Sequence, residues 1–371
     1  MKGTIVGPVY PYRGGIAHYT TQLARAFESS GHQVNVVSFK RLYPQWLYPG
    51  KTDRDPSQIQ DRVPANYSLD PLNPLTWLTT ARWIIDVDPE IAIIEWWTTF
   101  LAPAYLVLSS LLKRKGIRIL FLIHNVLPHE PKPWDSGLAR LTLRSGDLFL
   151  VHAKSQNDQL LALIPGTKIF LCPLPVYHSF VQQRISSGEA KNQLGISPDR
   201  PVLLFFGIVR PYKGLKFAVE ALARLRDKGI VAHLIIAGEF WEKDTPYRKL
   251  IESLDLKNQV TIEDRYIRNE EIGLYFSAAD VYLAPYVSGT QSAAAKLALG
   301  FDLPVVATTV IEDELLIDYP KARIVPPGEI DALADAVIDL LSQPALRNES
   351  SSEKVTGWVE LALDIVKMVE N

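Results

Sequence analysis

Two cations spaced three residues apart at the end of an apolar run are the sharpest chemical signal in this sequence. Gly207-Ile208-Val209-Arg210-Pro211-Tyr212-Lys213-Gly214 follows the strand-like stretch Val202–Phe206 and opens a helical pattern, Leu215–Lys228. A guanidinium and an ammonium beside a helix start suit a phosphate. Where a bond to a phosphate breaks, charge builds on the departing oxygen. Cations already in place stabilise that charge more than the ground state, each by about 2–4 kcal/mol. An isolated R-x-x-K also fits a solvated basic loop.

Three more segments carry the same kind of chemistry. Tyr10-Pro11-Tyr12-Arg13-Gly14-Gly15-Ile16-Ala17-His18-Tyr19 places paired glycines between a strand and a helix, where backbone N–H groups can approach an anion. It is not G-x-G-x-x-G, so a dinucleotide reading has no support. Pro285-Tyr286-Val287-Ser288-Gly289-Thr290-Gln291-Ser292-Ala293 offers hydroxyls and a glycine at a helix start near Ala293, a second phosphate-type site or a simple cap. His124-Asn125 ends the strand Leu120–Ile123, which puts an imidazole at the carboxyl edge of a sheet.

Elements of one kind must position these groups. Thr4–Val6, Val34–Phe39, Ile91–Ile94, Ile117–Ile123, Leu148–Val151 and Lys168–Leu171 read as strands. Helical patterns lie between them at Ile16–Ser29, Thr99–Lys115, Leu138–Arg144 and Ser155–Leu163. Continuous apolar strands separated by helices predict a parallel sheet covered on both faces. The polar stretch Val181–Arg200 reads as a passage between domains, and the pattern restarts at Val202. Strands Ala232–Ile236, Val260–Ile262, Val281–Ala284 and Val305–Ala307 then alternate with helices at Glu270–Ala279, Ala293–Leu299 and Ile330–Leu341. The domain reading is 1–178, completed by a C-terminal helix over about 355–371, and 179–354. Two doubly wound sheets predict a ligand cleft at their strands' carboxyl ends. Residues 41–83, with Tyr43, Trp46, Tyr48, Trp77 and Trp83 among prolines and basic residues, read as an irregular insertion. Such a segment suits a membrane interface, an acceptor pocket or an anchored loop.

Composition removes several function classes. At 371 residues with 47% hydrophobic and 22% charged, the chain is globular and long enough for two domains. A net charge of −2 argues against a nucleic-acid binder. Residues 1–180 carry 18 Lys+Arg against 13 Asp+Glu, whereas residues 181–371 carry 21 against 28. The basic half suits an anionic acceptor or membrane surface, or only a different surface charge. One cysteine, Cys172, excludes an internal disulfide and fits a reducing compartment. No Cys/His cluster has zinc spacing, and no apolar run reaches the roughly 20 residues of a membrane span. The expectation is cytoplasmic, with peripheral contact at the cytoplasmic face of the membrane.

In order and spacing, these segments resemble the GT-B glycosyltransferases, and within them glycosyltransferase family 4. The likeness runs through G-P-x-x-P-x-x-G-G-I-A-x-Y from Gly7, H-N-V-L-P-H-E from His124 to Glu130, and the strand–Lys213-Gly214–helix junction. It continues through A-A-D-V-Y-L-A-P-Y ending at Tyr286 and L-P-V-V-A-T from Leu303 to Thr308. The resemblance implies an α/β fold of two facing doubly wound Rossmann-like domains with a cleft between them. The final helix, Trp358–Val369, would cross back to the first domain. It also implies a retaining, metal-independent transfer from a nucleotide-diphosphate sugar to a glycan or lipid-linked acceptor.

Under that resemblance Lys213 and Arg210 neutralise the leaving diphosphate and His124 sits beside the sugar. Gly14 and Gly15 lie near the donor phosphate, Tyr266 and Ile267 line the base pocket, and Glu239 supplies a polar donor contact. Thr290, Gln291 and Ser292 hold phosphates, while Arg13, His129 and Glu130 meet the acceptor. The sequence departs from the family at Ile208, where an Arg is usual, and at Gly289 and Leu297, where paired glutamates are usual. These departures keep two alternatives open: a non-catalytic member that binds a nucleotide sugar or a partner protein, and a sugar-nucleotide epimerase using acids such as Glu130 and Glu239.

Overall fold

A computed structural model describes residues 1–128, 130–289, 291–343 and 357–370. The chain divides into two compact units: Met1–Asp55, Gln60–Pro175 and Thr356–Asn371 form the first, Pro56–Ile59 and Val176–Val355 the second.

The first unit is built on seven parallel strands. They are β1 (Lys2–Val6), β2 (Gln33–Phe39), β3 (Asn66–Leu69), β4 (Ile91–Trp96), β5 (Arg118–Ile123), β6 (Leu148–Val151) and β7 (Ile169–Leu171). Their order is β3-β2-β1-β4-β5-β6-β7, so the winding reverses between β1 and β4. Helices α1 (Gly15–Ser29), α2 (Pro74–Val87), α3 (Ala102–Lys113), α4 (Asp135–Leu143) and α5 (Lys154–Leu163) connect them. Both sheet faces are covered, which is why the strands read as unbroken apolar runs. Val37, Ile94 and Phe121 face Ile84 of α2, Leu108 of α3 and Leu143 of α4. Ile5, Ile93 and Leu122 face the opposite way, toward Leu23 and Phe27 of α1.

The expected irregular insertion at 41–83 is corrected here, because it contains β3 and α2. The prolines misled: Pro74 occupies the first turn of α2, where its missing N–H costs nothing. Asn73 caps that turn, its side chain accepting from Leu75 N at 3.1 Å. Thr80, Ala81 and Ile84 then form the inward stripe.

The second unit has six parallel strands: β8 (Val202–Phe206), β9 (His233–Ala237), β10 (Val260–Glu263), β11 (Val281–Ala284), β12 (Val305–Thr308) and β13 (Ala322–Val325). Their order, β10-β9-β8-β11-β12-β13, reverses between β8 and β11. Helices α6 (Ser187–Gln193), α7 (Leu215–Asp227), α8 (Thr245–Ser253), α9 (Ile272–Ala278), α10 (Ala293–Gly300), α11 (Glu314–Ile317) and α12 (Ile330–Leu341) complete it. The polar stretch 181–200 is more than a passage. It contains α6, whose Lys191 Nζ reaches Asp280 at 2.9 Å while Asp280 accepts from Val202 N at 2.7 Å. The four residues 56–59 dock on this unit, Ser57 Oγ accepting from Asn269 N at 2.8 Å and Glu270 from Gln58 N at 3.2 Å.

The last element, α13 (Trp358–Glu370), returns to the first unit. Leu361, Ala362, Ile365, Val366 and Met368 pack with α1 on the Ile5 face. Each large side chain buried there contributes about 1.5–3 kcal/mol. Arg118 of β5 donates to the Val369 carbonyl and ties down the helix end.

Candidate functional site

In open α/β sheets, ligands bind beyond the carboxyl ends of the strands where the winding reverses. In the second unit that position is flanked by the β8–α7 loop, residues 207–214, and the β11–α10 loop, residues 285–292. Gly214 brings the two together. It has φ 70°, and a Cβ there would lie 1.9 Å from the Pro285 carbonyl oxygen, so no other residue fits. Val287 N donates to Tyr212 O at 2.8 Å, and the Tyr212 and Tyr286 rings meet edge to face.

Lys213 stands at this junction. Its Nζ lies 5.7 Å from the centroid of the Tyr286 ring. Among the described residues no carboxylate lies within ion-pair distance of it, and Arg210 adds a second positive charge nearby. Burial, opposed by Tyr212 and reinforced by Arg210, lowers the ammonium's pKa. A partly buried cation held next to another cation is a place prepared for an anion. Arg210 lies over the Trp241 ring at 5.7 Å, and Trp241 Nε1 donates to Glu239 Oε2 at 3.1 Å. Past the strand ends, Gly207 N donates to Ala237 O and Val209 N to Glu239 O, both at 2.9 Å. That pairing carries Arg210 and Glu239 into one neighbourhood with Lys213.

Two polar side chains of the β11–α10 loop are already engaged by the protein. Ser292 Oγ accepts from Ala295 N at 3.1 Å and lies 3.0 Å from the Tyr286 hydroxyl. Gln291 Nε2 donates to Glu312 O at 3.0 Å. Thr290 lies outside the described residues. Tyr266 and Ile267 lie between β10 and α9, beside Arg265, which grips Glu271 with two bonds of 2.7 and 2.8 Å. Ile267 is buried there.

In the first unit, the strand-end groups near the β1–β4 reversal are His124, Glu95 and the loop 7–15. His124 packs edge to face on Tyr19 at 4.8 Å, and Tyr19 also meets Trp358 at 5.0 Å. Gln156 fixes the strand ends, accepting from His152 N at 2.9 Å and donating to His124 O at 2.7 Å. Burial lowers the His124 pKa to about 3, so the imidazole is neutral and serves as a hydrogen-bonding group. Gly14 precedes α1 with φ 104°. Arg13 is held against the 48–54 segment, its Nε donating to Tyr48 at 3.1 Å. Glu130 is exposed, and His129 lies outside the described residues. Glu95, Tyr286 and Trp241 were not singled out by sequence reasoning. Glu95 had a visible signal, an acid inside I-A-I-I-E-W.

Two family models match consecutive parts of the chain. The one described as "Glycosyl transferase 4-like domain" covers residues 14–175, and "Glycosyl transferases group 1" covers residues 200–343. The chain belongs to the GT-B, family 4-like glycosyltransferases. Among curated glycosyltransferases, it is 30% identical over 164 residues to alpha-D-kanosaminyltransferase of Streptomyces kanamyceticus, 43% of this chain and 41% of that protein. It is 31% identical over 163 residues to D-inositol 3-phosphate glycosyltransferase of Pseudarthrobacter chlorophenolicus, 43% of this chain and 39% of that one. These matches therefore span less than half of either relative. Solved structures share the fold over the whole length. A Rickettsia africae glycosyltransferase superposes with TM-score 0.72 at 17% identity, covering 100% of this chain and 98% of its own. Anabaena HepE in complex with UDP gives 0.69 at 15%, covering 99% and 95%.

Within this GT-B frame the departures from family 4 take physical form. Leu297, where the second glutamate is usual, is buried in α10. The neighbouring Lys296 is fully buried and paired with Asp313 at 2.6 Å. Gly289, where the first is usual, has φ 113° and packs near the Tyr212 ring.

Proposed function

We propose that this glycosyltransferase moves a sugar from a nucleotide-diphosphate donor to a glycan or lipid-linked acceptor, with retention and without a metal. Lys213 carries the reading, as a cation at the sheet reversal with no carboxylate at ion-pair distance among the described residues. The anomeric C–O bond breaks with its electron pair on the diphosphate oxygen, which Lys213 and Arg210 neutralise. The acceptor hydroxyl forms the new C–O bond and gives its proton to the departing diphosphate oxygen. Glu239 holds a polar part of the donor, and Tyr266 and Ile267 border the base. With the Ser292 and Gln291 side chains engaged by the protein, the start of α10 contributes backbone N–H groups, and Thr290 holds phosphate beside it. Gly14 and Gly15 do the same at the start of α1, and neutral His124 bonds a sugar hydroxyl. Arg13, His129 and Glu130 meet the acceptor. HepE, a protein of the same fold, was solved with UDP-glucose, which supports this donor class.

A thermal-shift series with UDP, GDP, ADP, CMP and TDP and their sugars tests the donor. At about 100 times its dissociation constant a true ligand adds about 2.7 kcal/mol of apparent stability. No shift with any of them overturns the reading. Gly289 and Leu297 support a second reading, binding without transfer. Nucleotide release that rises with acceptor excludes it, and sugar conversion without acceptor would mark an epimerase.

The acceptor side is proposed to meet an anionic membrane surface from the cytoplasm. No helix among the described residues is long and apolar enough to cross a membrane. Leu72, just before α2, and Leu75 and Leu78 on its first turns are exposed, Leu75 at 71%, and Trp46 is 81% exposed. These residues lie in the half of the sequence with excess Lys+Arg. Leu75→Ser with Leu78→Ser should weaken binding to phosphatidylserine vesicles at least tenfold in a sedimentation assay. Equal binding would remove α2 from the contact.

A further inference from the structure

Beneath His124 the first unit holds an acid that the transfer chemistry above does not use. Glu95, on β4, is fully buried. Its Oε2 lies 2.8 Å from Thr20 Oγ1 on α1 and 3.5 Å from His124 Nε2. Thr20 Oγ1 also lies 2.9 Å from the Ile16 carbonyl oxygen. The backbone is shaped around the carboxyl: a Cβ on Gly7 would lie 2.8 Å from both Glu95 Cδ and Oε2.

The groups facing this acid leave one protonation state. Tyr105 of α3 lies close enough for a charge on Glu95 to raise its cost of ionising, and Tyr19 and His152 surround the His124 ring. Among the described residues no Lys or Arg reaches Glu95, and its one ion-pair contact is the long one to His124. A buried carboxylate without a cation is too costly to persist, so the group keeps its proton. Burial accordingly raises its pKa well above the usual 4.5, against a smaller lowering by Thr20.

Hydrogen accounting then fixes the direction of the bonds. Three contacts run in series, and three hydrogens serve them only in one sense. The Thr20 hydroxyl donates to Ile16 O. The Glu95 acid donates to Thr20 Oγ1, its shorter contact. His124 Nε2, sealed from solvent and without a hydrogen-bond partner at its 3.5 Å separation from Glu95, is left to carry the hydrogen that faces Glu95. We propose that Glu95 is a positioning residue, a neutral acid that holds His124 in its Nε2–H tautomer and leaves Nδ1 as an acceptor for a substrate hydroxyl. The 3.5 Å contact closes by a small ring rotation, as such bonds do when a ligand arrives. Only the identity of that hydroxyl rests on the transferase reading. The tautomer does not.

The test is nitrogen NMR on full-length protein with labelled histidine, His124 being assigned among the seven histidines by a His124→Gln variant. The expected spectrum shows His124 protonated at Nε2 alone at neutral pH. Protonation at Nδ1 overturns the proposal whatever the enzyme's activity. Glu95→Gln should keep the tautomer, because its amide donates to Thr20 and its carbonyl accepts from His124. It should also retain most of kcat. Glu95→Leu should mix the tautomers and lower kcat by about 10²-fold with KM little changed. Unchanged tautomer and kcat in that variant overturn the proposal. If Glu95→Leu does not fold, the wild-type and Glu95→Gln spectra decide. If the wild type transfers no sugar, the transferase reading fails while the spectra still decide the tautomer.

Discussion

Lys213 and Glu95 are two charge problems solved in opposite ways. Glu95 gives up its charge, whereas Lys213 keeps one that, among the described residues, no acid at ion-pair distance balances. Removing the ammonium should therefore cost activity and not stability. Lys213→Met is expected to cut turnover by about 10²-fold or more, with a melting temperature equal to or above that of the wild type. A stable variant with normal turnover would take the residue out of the chemistry. Glu95 makes the opposite prediction. Its folded pKa is raised, so the folded protein holds a proton that the unfolded chain releases above the usual carboxylate value of 4.5. Stability then falls as pH rises above that value. His124, at about 3 folded against 6.5 unfolded, adds stability that is lost as pH falls through that window. Urea titrations across this range should show the alkaline-side decline flattened in Glu95→Gln, with the acid-side loss unchanged. An identical decline in both proteins would mean that Glu95 is ionised in the fold.

At the level of elements, the site depends on two loops pressed together more than on either loop's own sequence. Gly214→Ala forces a side chain into the Pro285 carbonyl and should cost more than about 2 kcal/mol. Nucleotide affinity should fall with it, read by denaturation and calorimetry. An alanine variant of normal stability would show that the loops can part. Much of this was legible in the sequence. The runs Val202–Phe206 and Val281–Ala284 announced strands, and Lys213-Gly214 announced the junction. What was not legible is contact. Nothing in T-Q-S says that Ser292 is spent on Ala295 N and Tyr286, because those partners are set by how the loop folds. The 41–83 segment hid β3 and α2 because Pro74, a breaker inside a helix, is a starter at its first turn. Glu95 was passed over for a similar reason. An acid in an apolar strand looks like an exception until Thr20, Gly7 and His124, distant in sequence, gather around it.

Across the whole chain, each unit repeats one plan: a parallel sheet, a reversal of winding, and chemistry at the strand ends beside it. The units differ in what completes them. The second is closed by α6 and the four residues 56–59, the first by α13. Ile365→Asp would place an unpartnered carboxylate on the face shared with α1 and Ile5, at a cost of more than about 3 kcal/mol. Calorimetry should show the first unit melting earlier and the second unit's transition unmoved. Equal shifts in both would mean that the chain melts as one.

The return of α13 also sets an order of events during synthesis. Domains generally fold as they emerge from the ribosome, the earlier before the later. Here the first unit's residues emerge first, yet the Ile5 face of its sheet, lined by α1, stays only partly covered until Leu361, Ile365 and Met368 follow. The second unit can close in the meantime. Of the two units, the one whose strands are made first is thus finished last, and for that interval it is the one more in need of a chaperone.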